Sequence, residues 1–265
     1  MPALYDAHVH LAGEKLQPFH NEIAASYSAM GLGKAVIMGT SPEDWNRVLE
    51  IASCDPRFVP AIGLHPWHVN HTQAGWMGQM LSVLDQGVHI IGEIGLDQWI
   101  KGHDIEKQLE AFRCQLSLAS KRNLPTSIHC LKAHEPLLET LRATELPKRG
   151  FKLHAYNGPL DTMEPLLELG AYFSFNSGQL KPNAKRIREL IKLVPSNRVL
   201  IETDAPDFLP PVELREFELS DPALCHPGNI RAAYRAISNL RGCSYENLAQ
   251  SVADNFKRYF LDEAV

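Results

Sequence analysis

The 265-residue sequence contains no apolar run of about 18 residues or more, so no segment of it reads as a membrane span. Its start has no basic stretch leading into an apolar core, so no secretory signal is expected and the cytoplasm is the expected location. Cysteines are few and scattered: Cys54, Cys114, Cys130, Cys225 and Cys243 include no Cys-x-x-Cys pair. Their odd number and wide spacing argue against a disulfide framework and for reduced thiols. Positive charge is also short. Lysine and arginine number 26 against 31 acidic residues, a net charge of −5, so the chain lacks the basic footprint of an extended nucleic-acid binder. Such a substrate would have to be held in a local pocket where metal ions supply the positive charge. No low-complexity segment, charge block or Gly/Ser linker divides the chain, which predicts a single domain over residues 1–265. Nothing in the sequence calls for a membrane or an obligate protein partner.

What is present is a regular alternation. Short β-branched apolar runs occur at Leu4–Val9, Lys34–Gly39, Phe58–Gly63, His89–Ile94, Pro125–His129, Phe151–His154, Ala171–Phe175 and Arg198–Ile201. Between them lie helical patterns. Gln108–Arg122 carries Leu109, Phe112, Leu116 and Ala119 at helical spacing, and Asn183–Val194 carries Ile187, Leu190, Ile191 and Val194. Pro182 sits where a helix start tolerates proline. The tail Ala232–Tyr259 reads as one or two closing helices. Eight strands alternating with helices predict an α/β fold, a (β/α)8 TIM barrel. The rival doubly wound sheet usually shows a Gly-rich turn after its first strand, and here that strand runs into His8-Val9-His10.

Barrel active sites form at the C-terminal ends of the strands. His8 and His10, two apart, share one face of a strand and offer two imidazoles to one ion. Other runs end in His65, Glu93, His129, His154 and Asp204. Histidine nitrogens with a carboxylate suit several divalent ions, Zn, Mn, Co and Ni among them. A carboxylate such as Glu93 can bridge two ions, which together clamp a displacement and activate water. Asp204 can hold an ion and take the proton of the attacking water. His65, in a loop before Pro66, is expected to contact substrate more than metal.

These residues resemble the TatD-type metal-dependent deoxyribonucleases of the amidohydrolase-like barrels. The resemblance rests on Tyr5-Asp6-Ala7-His8-Val9-His10-Leu11, Gly63-Leu64-His65-Pro66, Gly92-Glu93-Ile94-Gly95-Leu96-Asp97 and Glu202-Thr203-Asp204-Ala205-Pro206, with Gln108, Phe112 and Gln115 ahead of His129. It implies two divalent metal ions (Zn, Mn, Mg, Co or Ni). One would be held by His8, His10, Glu93 and Asp204, the other by Glu93, His129 and His154. It implies hydrolysis of a phosphodiester, in DNA or another phosphoester, with Glu93 and Asp204 as catalytic residues and His65 and Asn157 near the substrate. The chain departs from the family at His154-Ala155-Tyr156-Asn157-Gly158, after the fourth strand at Gln98-Trp99-Ile100, and at Cys225–Asn229. The rival reading keeps the barrel and changes the bond to an amide, ester or lactone, D-aminoacyl-tRNA included. Relatives of that kind often place a lysine where Glu93 stands. A histidinol-phosphatase-like site would close on Asp-x-His, and Pro206 stands in that histidine's place. A barrel that only binds a partner would have lost ligands, and none is missing.

Overall fold

The computed structural model describes residues 2–263. Eight strands follow one another as β1 (Leu4–Val9), β2 (Leu32–Met38), β3 (Phe58–Ala61), β4 (Ile91–Asp97), β5 (Thr126–Leu131), β6 (Phe151–Leu153), β7 (Ala171–Phe175) and β8 (Val199–Ile201). The helices are α1 (His20–Met30), α2 (Pro42–Cys54), α3 (Trp76–Leu84), α4 (Ile105–Arg122), α5 (His134–Ala143), α6 (Met163–Glu168), α7 (Lys185–Leu193), α8 (Ile230–Arg241) and α9 (Tyr245–Phe256). The strands lie in the orders β1-β2-β3 and β4-β5-β6-β7-β8, and the recorded pairings are parallel. This is the (β/α)8 order of the TIM-barrel-like folds, as the alternation predicts.

The chain forms two compact units. One comprises Met1–Ile37, Ile51–Val59 and Phe173–Val265, the other Met38–Glu50 and Pro60–Tyr172. In the first unit, Tyr234 on α8 grips β1: its hydroxyl donates to Tyr5 O (3.0 Å) and accepts from Tyr5 N (3.1 Å). Tyr5 also packs on Phe256 of α9, with ring centroids 4.9 Å apart. The ends of β8 and β1 are tied by Asp204 N donating to His8 O and His10 N donating to Ala205 O, each at 2.9 Å. In the second unit, a parallel bridge joins Ile62 to Ile91. There α4 buries Leu109, Phe112, Leu116 and Ala119, the stripe expected from spacing. Asp104 caps its start and Asn123, with a φ of 50°, its end.

Several boundaries differ from expectation by one to three residues, those of β4 and α7 among them. β4 starts at Ile91 and runs past Ile94 to Asp97, and within it Gly95 adopts a φ of +139° beside His129. A Cβ there would land on the His129 carbonyl, so the close strand approach requires glycine. α7 starts at Lys185, and Pro182 belongs to the turn before it.

Candidate metal centre

The first unit brings His8, His10 and Asp204 together. His8 and His10 project from the end of β1, and Asp204 follows β8. Asp204 has a φ of 54°, a left-handed conformation that aspartate tolerates better than most residues. Nε2 of His8 lies 3.1 Å from Nε2 of His10, and Asp204 Oδ1 lies 3.2 Å from His10 Nε2 and 3.6 Å from His8 Nε2. His8 and Asp204 are buried.

A residue that sequence reasoning left unassigned holds this arrangement. Asp6, two positions before His8, is fully buried. Its carboxylate accepts from His8 N (3.1 Å), Thr203 N (3.0 Å) and Thr203 Oγ1 (2.6 Å). It thereby ties the ligand-bearing end of β1 to the segment that carries Asp204. Burial pushes the Asp6 carboxyl up to about 7, against the pull of the Thr203 and His8 bonds. The available signal was its place on the same strand face as His8 and His10.

The second unit gathers His65, Glu93, His129 and His154. Glu93 sits where the β4–β5 register slips between Gly92 and Ile94, an irregularity of the kind that re-aims a side chain. Around its Oε1 lie His154 Nε2 (2.7 Å), His129 Nδ1 (3.0 Å) and His65 Nε2 (3.3 Å). His129 Nδ1 is 3.1 Å from His154 Nε2. The position expected for His65 was a loop in contact with substrate. It is buried, and its Nδ1 accepts from Trp67 N at 3.1 Å, which leaves the proton on Nε2. Asn157 is part-exposed in the loop after β6, four residues beyond its last residue Leu153.

Asp97, named beforehand only as the end of a motif, orients this cluster. It is fully buried and accepts from His129 Nε2 (3.0 Å) and Trp67 Nε1 (2.6 Å) on Oδ2, and from Trp99 N (2.7 Å) and Ile100 N (3.0 Å) on Oδ1. Burial pushes its carboxyl up, but the bonds from His129 and Trp67 outweigh that and hold it well below the usual carboxylate range. Burial likewise pulls the His129 imidazole down, and the bonds to Asp97 and Glu93 outweigh it and raise it. Two buried glutamines on α4 fix the strand ends. Gln115 exchanges two hydrogen bonds with the Leu64 backbone (2.7 and 3.1 Å). Gln108 does the same with Asp97 (2.8 and 2.9 Å).

Both clusters fit a divalent ion. His129 gives its Nε2 proton to Asp97, so the Nδ1 lone pair points at the Glu93 oxygen 3.0 Å away. Two such lone-pair groups sit this close only with a positive centre between them, a proton or a metal ion, and the site has donors enough for the ion. Donor atoms 2.7–3.6 Å apart also match ligands sharing one ion at bonds of about 2.0–2.2 Å. Groups able to hold a metal include His8, His10 and Asp204 in the first unit and His65, Glu93 and His129 in the second.

Comparison with known proteins agrees. The family model of the TatD related DNases matches residues 5–261. The metal-dependent hydrolase YabD of Bacillus subtilis is 29% identical over 262 residues, 97% of this chain and 98% of its own length. The 3′-5′ ssDNA/RNA exonuclease TatD of Erwinia tasmaniensis is 28% identical over 266 residues, covering 97% and 99%. The crystal structure of YjjV, a TatD homologue from Escherichia coli, superposes with a TM-score of 0.89 at 26% identity, covering 97% of this chain and 98% of that one. A full-length family match, a TIM-barrel-like fold and two clusters of histidine and carboxylate donors converge: the chain belongs to the TatD-related DNase family and is a metal-dependent hydrolase.

Proposed function

We propose that this protein hydrolyses phosphodiester bonds in nucleic acid, using two divalent metal ions. His8, His10 and Asp204 hold one ion, and Glu93, His129 and His154 the other. The observation that carries the reading is the crowding of nitrogen donors on one buried carboxylate, with Glu93 Oε1 2.7 Å from His154 Nε2 and 3.0 Å from His129 Nδ1. The name of the Erwinia relative, a single-strand DNA/RNA exonuclease, supports the substrate class. Bound ions supply Lewis acidity toward a phosphoryl oxygen and lower the pKa of water.

The remaining work falls to the chain. Asp204 takes the proton of the attacking water as the new phosphorus–oxygen bond forms and the ester bond breaks. His65, with its proton on Nε2, donates a hydrogen bond to a phosphoryl oxygen and offsets its growing charge. Asp97 keeps the His129 ring in the tautomer that leaves Nδ1 open. Asn157, part-exposed beyond β6, contacts substrate. Asp6 anchors the strand ends that carry His8 and Asp204.

The test is digestion of end-labelled single- and double-stranded oligonucleotides with Mg, Mn or Zn, with EDTA and the Glu93→Gln variant as controls. The proposal expects cleavage that needs a divalent ion and vanishes in the variant. Cleavage of ester, lactone or aminoacyl substrates alone would overturn it.

A further inference from the structure

Two tryptophans near the second donor cluster are open to water, one tied to Asp97 by its ring and the other by its backbone. Trp67 stands two residues after His65, and its ring packs edge-on against that imidazole, with centroids 4.9 Å apart at 84°. It lies 6.3 Å from the His129 ring. Its indole N–H is fixed on Asp97 Oδ2 at 2.6 Å, yet the residue is 44% exposed. Trp99 stands two residues beyond the end of β4. Its backbone N–H is fixed on Asp97 Oδ1 at 2.7 Å, and the residue is 67% exposed. Leaving a ring of this size in water forgoes one of the largest burial gains available to a side chain. Here it happens twice on the same buried carboxylate, the one that also binds His129.

An open aromatic ring, tethered by its indole N–H at Trp67 and rooted through the backbone at Trp99, suits a flat aromatic ligand. Next to a centre that cuts phosphodiesters, that ligand is an unpaired nucleobase. Paired bases present only their edges, whereas a single strand offers its faces. The net charge of −5 gives a polyanion little general attraction, so contacts other than ion pairs must supply affinity.

We infer that Trp67 and Trp99 are specificity-determining residues that stack bases of single-stranded nucleic acid at the metal centre. The inference rests on the phosphodiesterase reading above and adds to it how the strand is chosen. It expects single strands to be preferred over duplex, and binding that weakens only shallowly with salt.

The test measures kcat and KM of the full-length, metal-loaded protein on a single-stranded oligonucleotide and on one with abasic sites near the cut end. Tryptophan fluorescence on titration with each is the second readout. Trp99→Ala is the decisive variant, because its tie to Asp97 runs through the backbone and survives. It should raise KM roughly ten-fold for the intact strand and change kcat less. It should change KM little for the abasic strand, and Trp99→Phe should restore most of the loss. Trp67→Ala should show the same split, with Trp67→Phe keeping the stacking face while losing the indole N–H. The intact oligonucleotide should quench wild-type fluorescence more than the abasic one. Unchanged KM in Trp99→Ala, with wild type cleaving normally, overturns the inference and leaves the nuclease reading intact. A Trp67→Ala variant that loses only kcat makes that ring a structural latch and overturns its part in the inference. Failure of the metal-loaded wild type to bind or cut any oligonucleotide overturns both readings together.

Discussion

Replacing Asp97 by Asn keeps the shape of the side chain and halves its ability to accept hydrogen bonds. The carboxylate takes four donors, two on each oxygen. An amide can serve one pair and must set its NH2 against the other. If the oxygen stays with Trp99 N and Ile100 N, the NH2 meets the Trp67 indole and His129 Nε2. The His129 ring then accepts at Nε2 and carries its proton on Nδ1, toward Glu93 and His154. Two consequences follow. Only the Trp67 bond is lost outright, the His129 bond being turned around, and a bond lost to a charged acceptor costs about 1.5–3 kcal/mol, a sizeable share of the ~5–15 kcal/mol of a typical domain. The blocked Nδ1 should also weaken metal binding by about 10–100-fold, the usual effect of losing a partner that orients a ligand. Acid sensitivity changes as well. The Asp97 carboxyl is depressed in the folded protein, so its stabilisation is complete above the ordinary carboxylate range near ~4 and is lost as pH falls. The variant should therefore show a flatter acid limb. Urea unfolding of metal-free protein from pH 2 to 7, with calorimetric metal titration, reads all three effects. An unchanged midpoint together with a metal Kd within two-fold of wild type would refute the reasoning.

Gln115→Leu should lower stability by about 2 kcal/mol or more, because it strands the buried N–H and C=O of Leu64; thermal unfolding measures it. Gly63→Ala should displace Glu93, since a Cβ there would meet the Glu93 carbonyl oxygen at 2.5 Å; reduced metal uptake with a retained circular dichroism spectrum is the expected result. Asp6→Asn should weaken metal binding at the His8, His10 and Asp204 cluster more than at the second cluster, because the two backbone N–H bonds then go to a neutral acceptor and the Thr203 hydroxyl bond must turn around; competition titration with a chromophoric chelator resolves the two. Chelation should lower the unfolding temperature of wild type and leave that of a His129→Ala variant less affected, by mass action on bound metal.

Much of the barrel and of its donor set is legible in the sequence, for a physical reason. Parallel strands paired side by side end together, so residues closing neighbouring apolar runs meet even when far apart in the chain. His8-Val9-His10 meets Asp204 in one unit in this way, and Glu93 meets His129 and His154 in the other. The supports are not legible, because their partners lie at sequence distances that no local pattern encodes. Gln115 bonds to a residue 51 positions away, and Asp6 to one 197 positions away. The burial of His65 escaped for a similar reason. Pro66 marks a loop, and the tie from Thr40 O to His65 N that draws the loop inward belongs to another strand's end.

The proposed assignment gives His8, His10 and Asp204 one ion and Glu93, His129 and His154 another. Elemental analysis of protein equilibrated with Zn or Mn and dialysed free of excess tests it most directly, on wild type, His10→Ala and His129→Ala side by side. The account predicts two ions per chain in wild type and one in each variant. Full occupancy in both variants, or no retained ion in wild type, would contradict it.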